Sequence, residues 1–250
     1  MPLFAQKLFL LNRWRHALAG WLCLVGVAGL VHAQGSAQGP AMVVQQVSAS
    51  AWYVEGQSAL GTPANQNFIS NAAFVVTPAG VVVVDALGSP ALAERLLAEI
   101  RKITPLPVTQ VILTHYHADH IYGVQAFKAQ GARIMAHRAA RDYLNSDAAL
   151  IRLQASRETL APWINAQTHL VPADDWIEGT RDLVVGGVQF VLTPVGPSHT
   201  PEDVVVYLPQ EKVLFAGDLV FRNRVPYVGQ ADSGHWIKAL DTLLAFDTTV

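Results

Sequence analysis

The segment that most constrains this chain is V-I-L-T-H-Y-H-A-D-H, residues 111–120. Its apolar first half is typical of a strand that helices cover on both faces. Its second half contains four candidate metal ligands within six residues, namely His115, His117, Asp119 and His120. Buried polar groups need partners, because an unpaired one costs free energy. A divalent cation would be a partner for all four side chains; the alternative interpretation is a polar loop whose histidines are solvated.

Two more polar side chains follow predicted strands. His199 lies in G-P-S-H-T-P after a strand predicted at 188–195, and Asp218 lies in F-A-G-D after one predicted at 212–216. Ligand sites of open sheets lie at the carboxyl ends of strands, so three strands could bring these residues to the His115 segment. Taken separately, His199 is explained as a surface histidine and Asp218 as a turn carboxylate.

The only cysteine, Cys23, lies in an N-terminal apolar run. The rest of the chain is therefore expected to lack disulfides and to offer a metal only nitrogen and oxygen ligands. Such ligands favour zinc and also suit iron or manganese.

The first 33 residues resemble a cleavable secretory signal, because Lys7, Arg13 and Arg15 precede an apolar run that ends in V-H-A. We expect a signal peptide at 1–33, a flexible segment at 34–43 and one domain at 44–250. The cleaved protein would be periplasmic or secreted, without a stable membrane span. The alternative is an uncleaved anchor, although the apolar run is short for a bilayer.

The charge balance bears on partners. Residues 1–33 contain three of the 17 Lys and Arg and none of the 19 Asp and Glu, which leaves 14 against 19 and a formal net charge of −5. This balance does not suggest a nucleic-acid partner. We expect a small-molecule substrate, and the oligomeric state is not indicated.

The apolar pattern predicts strands and helices in alternating groups. Strands are predicted at 46–54, 68–77, 81–85, 108–114, 132–136, 183–185, 188–195, 204–208 and 212–216, and helices at 91–103, 120–129, 137–160 and 236–246. Residues 170–176 are predicted to be a loop, and 247–250 to open another strand. This order predicts two layers of sheet flanked by helices. Asp85 either supports a metal site or caps a turn. His137 is interpreted as a structural residue or a surface residue.

Taken together, the motifs H-x-H-x-D-H, G-x-x-H-T-P and G-D resemble the metallo-β-lactamase superfamily of binuclear metal hydrolases. The resemblance extends over residues 44–250. It implies an αββα sandwich of two mixed β-sheets flanked by helices, with the metals at one edge between the sheets. It further implies two zinc ions, one held by His115, His117 and His199 and the other by Asp119 and His120, with Asp218 between them.

Two departures from the family pattern affect the prediction. Members with β-lactamase activity commonly have cysteine or serine where this chain has Asp218, which favours other substrates. The family's last histidine ligand follows a final strand, and this chain ends at Val250 before reaching one. We therefore expect a C-terminally truncated domain whose second metal lacks a ligand. His235 does not match the missing position.

The resemblance predicts a metal-dependent hydrolase in which a zinc-bound hydroxide attacks the carbonyl of a thioester, ester, lactone or amide. Asp119 is the candidate catalytic residue, because it could orient the water and move a proton. Loops 55–66 and 221–233, with Asn223 and Tyr227, are expected to contact substrate. The alternatives are a β-lactam-hydrolysing enzyme, an iron-dependent thiol or persulfide oxygenase on the same fold, and a metal-binding module without turnover.

Overall fold

The computed structural model describes residues 39–250, which form two facing β-sheets with helices outside them. The first sheet has seven strands in chain order: β1 (Val44–Gln46), β2 (Ala51–Val54), β3 (Ala72–Thr77), β4 (Gly80–Val84), β5 (Val108–Ile112), β6 (Arg133–His137) and β7 (Asp175–Ile177). Strands β1 to β4 pair antiparallel, and β4 to β7 pair parallel. The signal peptide expected at 1–33 lies outside the described residues and stays a prediction.

The second sheet has four strands, β8 (Arg181–Val185), β9 (Val188–Pro194), β10 (Val204–Leu208) and β11 (Val213–Phe215). All its pairings are antiparallel. The expectation of two mixed sheets is therefore correct for the first sheet and wrong for the second within the described residues. Adjacent strands of the second sheet are joined by connections short enough for antiparallel pairing, whereas parallel pairing requires long crossovers.

Residues 39–250 contain six helices beside the sheets: α1 (Pro90–Ile103), α2 (Ala118–Ile121), α3 (Val124–Ala129), α4 (Ala140–Leu144), α5 (Asp147–Thr159) and α6 (Ser233–Leu244). A 3-10 turn covers Gly217–Leu219. Across residues 39–250, no helix is both long and apolar enough to span a membrane.

Three apolar layers explain this arrangement. In β4, Val81 and Val83 face α1 and α3, whereas Val82 and Val84 face the second sheet. Successive side chains of a strand point to opposite faces, so a strand covered on both faces is apolar throughout. On the far side of the second sheet, Val205 packs with Trp236 of α6. The order of layers is thus helix, sheet, sheet, helix.

Several predicted elements have different limits in the structure. The predicted strand at 46–54 is two strands, because a turn brings the amide of Val47 to the carbonyl of Ala51. The predicted helix at 137–160 is divided where Ser146 caps α5 by accepting from Ala149 N. The predicted loop at 170–176 contains the first residues of β7. Residues 247–250, which were predicted to open a strand, do not form one. Thr249 and Val250 only make backbone hydrogen bonds with Lys212 and with Leu214 of β11.

The helix predicted at 120–129 is likewise divided, into α2 and α3 around Gly123. The Gly123 amide donates to the carbonyl of Leu87, and a Cβ at this glycine would lie 1.9 Å from the carbonyl oxygen of Ala86. Only glycine allows the loop after β4 to approach the helix so closely. This contact fixes the position of α2, and with it His120.

Candidate metal centre

The six predicted ligands lie together at one edge of the two sheets. The loop between β5 and α2 carries His115 and His117, and α2 carries Asp119 and His120; the loop between β9 and β10 carries His199; the 3-10 turn after β11 carries Asp218. Ring centroids lie 4.7 Å apart for His115 and His117, 5.0 Å for His115 and His199, and 4.7 Å for His117 and His199. Both sheets therefore contribute to one cluster.

The donor atoms form two overlapping sets. His115, His117 and His199 offer atoms that all lie within 4.8 Å of one another, and so do His115, His120 and Asp218. His117 Nδ1 is 2.9 Å from His199 Nε2, and His120 Nε2 is 3.2 Å from Asp218 Oδ1. Each set is compact enough to surround one ion.

Asp119 lies beside these sets. Its Oδ2 is 3.6 Å from His120 Nε2, and its side chain is 19% exposed. Its backbone carbonyl accepts a hydrogen bond from the hydroxyl of Ser70. Burial raises the pKa of Asp119, and the neighbouring His120 acts in the opposite direction.

The residues fit a metal ion, because two buried donor atoms lack hydrogen bonds. Among residues 39–250, the Nε2 atoms of His115 and His120 are buried without a hydrogen-bond partner, and that of His120 lies 3.2 Å from the carboxylate of Asp218. The opposite ring nitrogens are engaged, His115 Nδ1 with Thr114 Oγ1 at 3.0 Å and His120 Nδ1 with Asp85 Oδ2 at 2.9 Å. Histidines that bind metals have this arrangement.

Asp85 organises the two histidine contacts. Its Oδ1 accepts from Thr114 N at 2.8 Å, and its Oδ2 accepts from both Thr114 Oγ1 at 2.9 Å and His120 Nδ1. Its φ of +63° is in the left-handed region, which costs a non-glycine residue free energy and is concentrated at functional sites. Of the two roles left open for Asp85, the structure favours support of a metal site.

His199 is held by the backbone and by aromatic rings. Its Nδ1 donates to the carbonyl of Tyr227 at 3.0 Å, which leaves Nε2 directed at His117. Its ring lies 5.4 Å from that of Trp236 and 6.0 Å from that of Phe221, by centroids. The contact with the Tyr227 carbonyl could not be predicted from the sequence, because every residue has a backbone carbonyl.

The turn that carries Asp218 depends on the preceding glycine. Gly217 has a φ of +56°, and a Cβ there would lie 2.8 Å from Thr114 Oγ1. Glycine is therefore needed both for the backbone conformation and for the close approach to Thr114.

The electrostatics suit metal binding. Burial lowers the pKa of His115 well below its ordinary value and lowers that of His117 to about 3, so both imidazoles are neutral. Neutral imidazole is the form that coordinates a metal. Burial also lowers the pKa of His120, but Asp85, Asp218 and Asp119 raise it well above its ordinary value. Conversely, burial raises the pKa of Asp218, yet His120 holds it far below the usual range.

Comparison with known proteins agrees with this geometry. The sequence model of the Metallo-beta-lactamase superfamily matches residues 66–250. The chain belongs to the metallo-beta-lactamase superfamily. This confirms the resemblance inferred from the three motifs.

Relatives within the superfamily differ in reaction. The chain is 28% identical over 210 residues to a linear primary-alkylsulfatase of a Pseudomonas species, covering 70% of this chain and 39% of that protein. It is 26% identical over 188 residues to metallo-beta-lactamase IND-1 of Chryseobacterium indologenes, covering 74% of this chain and 70% of that one. The chain thus spans well under half of the alkylsulfatase.

Solved structures confirm the αββα fold. The metallo-beta-lactamase from Pontibacter korlensis matches with a TM-score of 0.62 and 25% identity, covering 81% of this chain and 85% of that one. The metallo-beta-lactamase IND-7 matches with a TM-score of 0.66 and 24% identity, covering 83% and 86%.

In this superfamily member, a cavity of about 410 Å³ lies beside His120 and Asp218. Its walls include part of the predicted substrate loops: Glu55, Ser58, Phe221, Arg222 and Arg224. Tyr227 lies nearby, 54% exposed, with its ring 5.8 Å from that of His117. Asn223 is exposed and is not among the residues that line the cavity.

The histidines at positions 137 and 235 do not join the centre. His137 ends β6, half-buried, and accepts a hydrogen bond from the amide of Ala139, in keeping with a structural role. His235 is exposed near the start of α6, where it contacts Asp232.

Proposed function

We propose that this chain is the catalytic domain of a zinc-dependent hydrolase acting on small molecules. The observation that carries this proposal is the pair of buried Nε2 atoms of His115 and His120, without hydrogen bonds and oriented through their Nδ1 atoms. A donor set of imidazoles and carboxylates without sulfur favours zinc, with iron or manganese as alternatives.

The proposed roles follow from the two donor sets. His115, His117 and His199 would hold one ion; Asp119, His120 and Asp218 would hold the second. Bound ions would lower the pKa of water and polarise the bond under attack. Asp119 is partly exposed beside His120, which makes it the candidate to orient the attacking water and to move a proton. Asp85 and the Tyr227 carbonyl keep their imidazoles in one tautomer.

The surroundings of the centre support an anionic substrate. Arg222 and Arg224 line the cavity, and the charge of Arg152 on α5 lowers the pKa of both His117 and Asp119. None of the ion pairs among residues 39–250 includes these three arginines. The carboxylates on the cavity wall are Glu55, Asp85 and Asp218, and the last two lie at the proposed metal centre. We therefore add a sulfate ester, the substrate type named for the alkylsulfatase relative, to the carbonyl compounds.

The test combines metal content with a substrate panel. The purified protein is assayed with a thioester, a lactone, a β-lactam and an alkyl sulfate, and its metals are quantified. His117→Ala is compared with His169→Ala, which removes an exposed imidazole outside the centre. We expect wild type and His169→Ala to hold zinc and to hydrolyse at least one compound, and His117→Ala to lose an ion and at least about 100-fold in rate.

Three results would contradict the proposal. His117→Ala could retain both metal and rate, which would remove the centre from the reaction. Wild type could bind metal without turnover of any compound, which would indicate a metal-binding module. Iron together with oxygen consumption on a thiol would indicate the oxygenase.

A further inference from the structure

Glu202 is a buried carboxylate that the proposed reaction does not use. It is 5% exposed and lies three residues after His199 in the loop between β9 and β10. A buried carboxyl group is costly unless hydrogen bonds satisfy it. Burial raises the pKa of Glu202, and the amide of Tyr116 and the hydroxyl of Thr200 lower it in part.

The Glu202 side chain connects the two loops that carry histidines. Its Oε1 accepts a hydrogen bond from the backbone amide of Tyr116 at 3.2 Å. Tyr116 is the residue between His115 and His117, so this bond joins the His199 loop to the middle of the other loop. The two residues are 86 positions apart in sequence.

Other hydrogen bonds lie near this point, within the His199 loop and between the two loops. In the His199 loop, Asp203 accepts from Thr200 N at 2.8 Å and from Thr200 Oγ1 at 2.7 Å. The amide of Val204 donates to the carbonyl of Thr114 at 2.9 Å, which joins the loops just before His115. The bond from Glu202 lies beyond that point, next to His117. It therefore acts on the separation of His117 and His199, whose nitrogens are 2.9 Å apart.

We propose that Glu202 is a positioning residue that sets the separation of His117 and His199 and thereby the affinity of the first donor set for its ion. The inference rests on the proposed metal site but not on turnover. It assigns the effect to one hydrogen bond, from the Tyr116 amide to a side-chain oxygen. Glutamine keeps an oxygen at that position, whereas alanine removes it and aspartate withdraws it by one methylene.

The experiment measures metal affinity and geometry. Zinc affinity of wild type, Glu202→Gln, Glu202→Ala and Glu202→Asp is determined by competition with a chromophoric chelator. Cobalt substitution reports the coordination of the first ion through its visible spectrum. Glu178→Ala is the matched control, because it removes a 67% exposed glutamate side chain that pairs with Arg138.

We expect Glu202→Ala to lower the affinity for the first zinc ion by about 10- to 100-fold, the usual effect of removing a group that orients metal ligands. The visible spectrum of the cobalt-substituted protein should change as well. Glu202→Gln and Glu178→Ala should remain close to wild type. Unchanged affinity in Glu202→Ala would overturn the proposal, and so would equal losses in Glu202→Gln and Glu202→Ala at equal melting temperature.

If Glu202→Ala does not fold, Glu202→Asp decides the matter. It retains the charge, so weakened binding supports the hydrogen bond, and wild-type binding overturns it. Failure of the proposed hydrolase would appear differently, as wild type that binds zinc normally but turns over no substrate.

Discussion

At the scale of single residues, the centre depends on which nitrogen of each imidazole is already occupied. Thr114, Asp85 and the Tyr227 carbonyl engage Nδ1 of His115, His120 and His199 respectively, and each leaves Nε2 for another partner. His115, His117 and His120 were recognisable because they lie within six residues of sequence, and His199 was recognisable only in combination with them. Their partners were not, because Asp85 and the Tyr227 carbonyl are distant in sequence from His120 and His199, and only the fold brings them together.

Replacing Asp85 tests this account of orientation. In Asp85→Asn, the amide would offer N–H groups where His120 Nδ1 now finds an acceptor, and the proton of His120 would move to Nε2. We expect the affinity for the zinc ion held by His120 and Asp218 to fall by about 10- to 100-fold, as measured by chelator competition. Asp182→Asn, an exposed carboxylate on β8, is the control. Equal zinc affinities of Asp85→Asn and Asp182→Asn would refute the role of Asp85 in orienting His120.

Substitution of Gly217 measures how much stability is lost when a side chain is placed beside Thr114. Gly217→Ala introduces both an unfavourable φ of +56° and a contact of 2.8 Å with Thr114 Oγ1, whereas Gly187→Ala introduces only an unfavourable φ of +86°. The left-handed conformation alone costs about 1–2 kcal/mol. We expect Gly217→Ala to lower the free energy of unfolding more than Gly187→Ala and to reduce zinc affinity, by denaturant titration and chelator competition. Indistinguishable variants would show that the turn adapts.

Arg222 and Arg224 line the cavity, so we expect them to contribute to the binding of an anionic substrate. The double substitution Arg222→Ala and Arg224→Ala should raise KM for an anionic substrate about twofold to fivefold with little change in kcat, since an exposed charge contact contributes about 0.2–1 kcal/mol. The increase should diminish at high salt. Arg101→Ala, in the last turn of α1, serves as the control. A change in kcat alone would argue against a binding role.

At the scale of elements, the strength of the sequence pattern decided what could be predicted. The valines of β4 and the Ser89 cap of α1, which accepts from Leu92 N at 3.3 Å, both have clear signatures. Strand β7 was missed because three residues are too few to show a period. It forms because Asp175 pairs with Met135 of β6 and its carboxylate binds Arg181. Local pattern cannot reveal a strand that depends on its neighbours.

Helix α1 should contribute strongly to stability through its buried face. Leu96 is 0% exposed against the first sheet, whereas Leu244 at the end of α6 is 83% exposed. We expect Leu96→Ala to lower the free energy of unfolding by about 2–5 kcal/mol. Leu244→Ala should change it by no more than about 0.5 kcal/mol. Urea unfolding of both variants measures the two free energies of unfolding. A small decrease for Leu96→Ala would mean that the core relaxes around the shortened side chain.

At the scale of the whole molecule, the centre joins the two sheets. His115, His117, Asp119 and His120 follow a strand of the first sheet, and His199 and Asp218 follow strands of the second. An ion bound by both groups would connect elements that otherwise contact mainly through apolar side chains. Metal binding should therefore be coupled to the stability of the complete fold.

Zinc should accordingly raise the melting temperature. At free zinc a hundredfold above the dissociation constant, the expected stabilisation is about 2.7 kcal/mol. Thermal unfolding with zinc and with a chelator measures it, and His117→Ala should show a smaller difference than His169→Ala. An identical melting temperature with and without zinc would mean that the ion does not bind the native fold preferentially.

The position of His115 in both donor sets has a further consequence. Its Nδ1 is engaged by Thr114, so only Nε2 is free, and one lone pair coordinates one ion at a time. An ion that takes His115 with His117 and His199 leaves the second ion His120 and Asp218, with Asp119 beside them. The first ion would then have three nitrogen ligands and the second would have one nitrogen with carboxylate oxygens, so we expect the two ions to bind with different affinities.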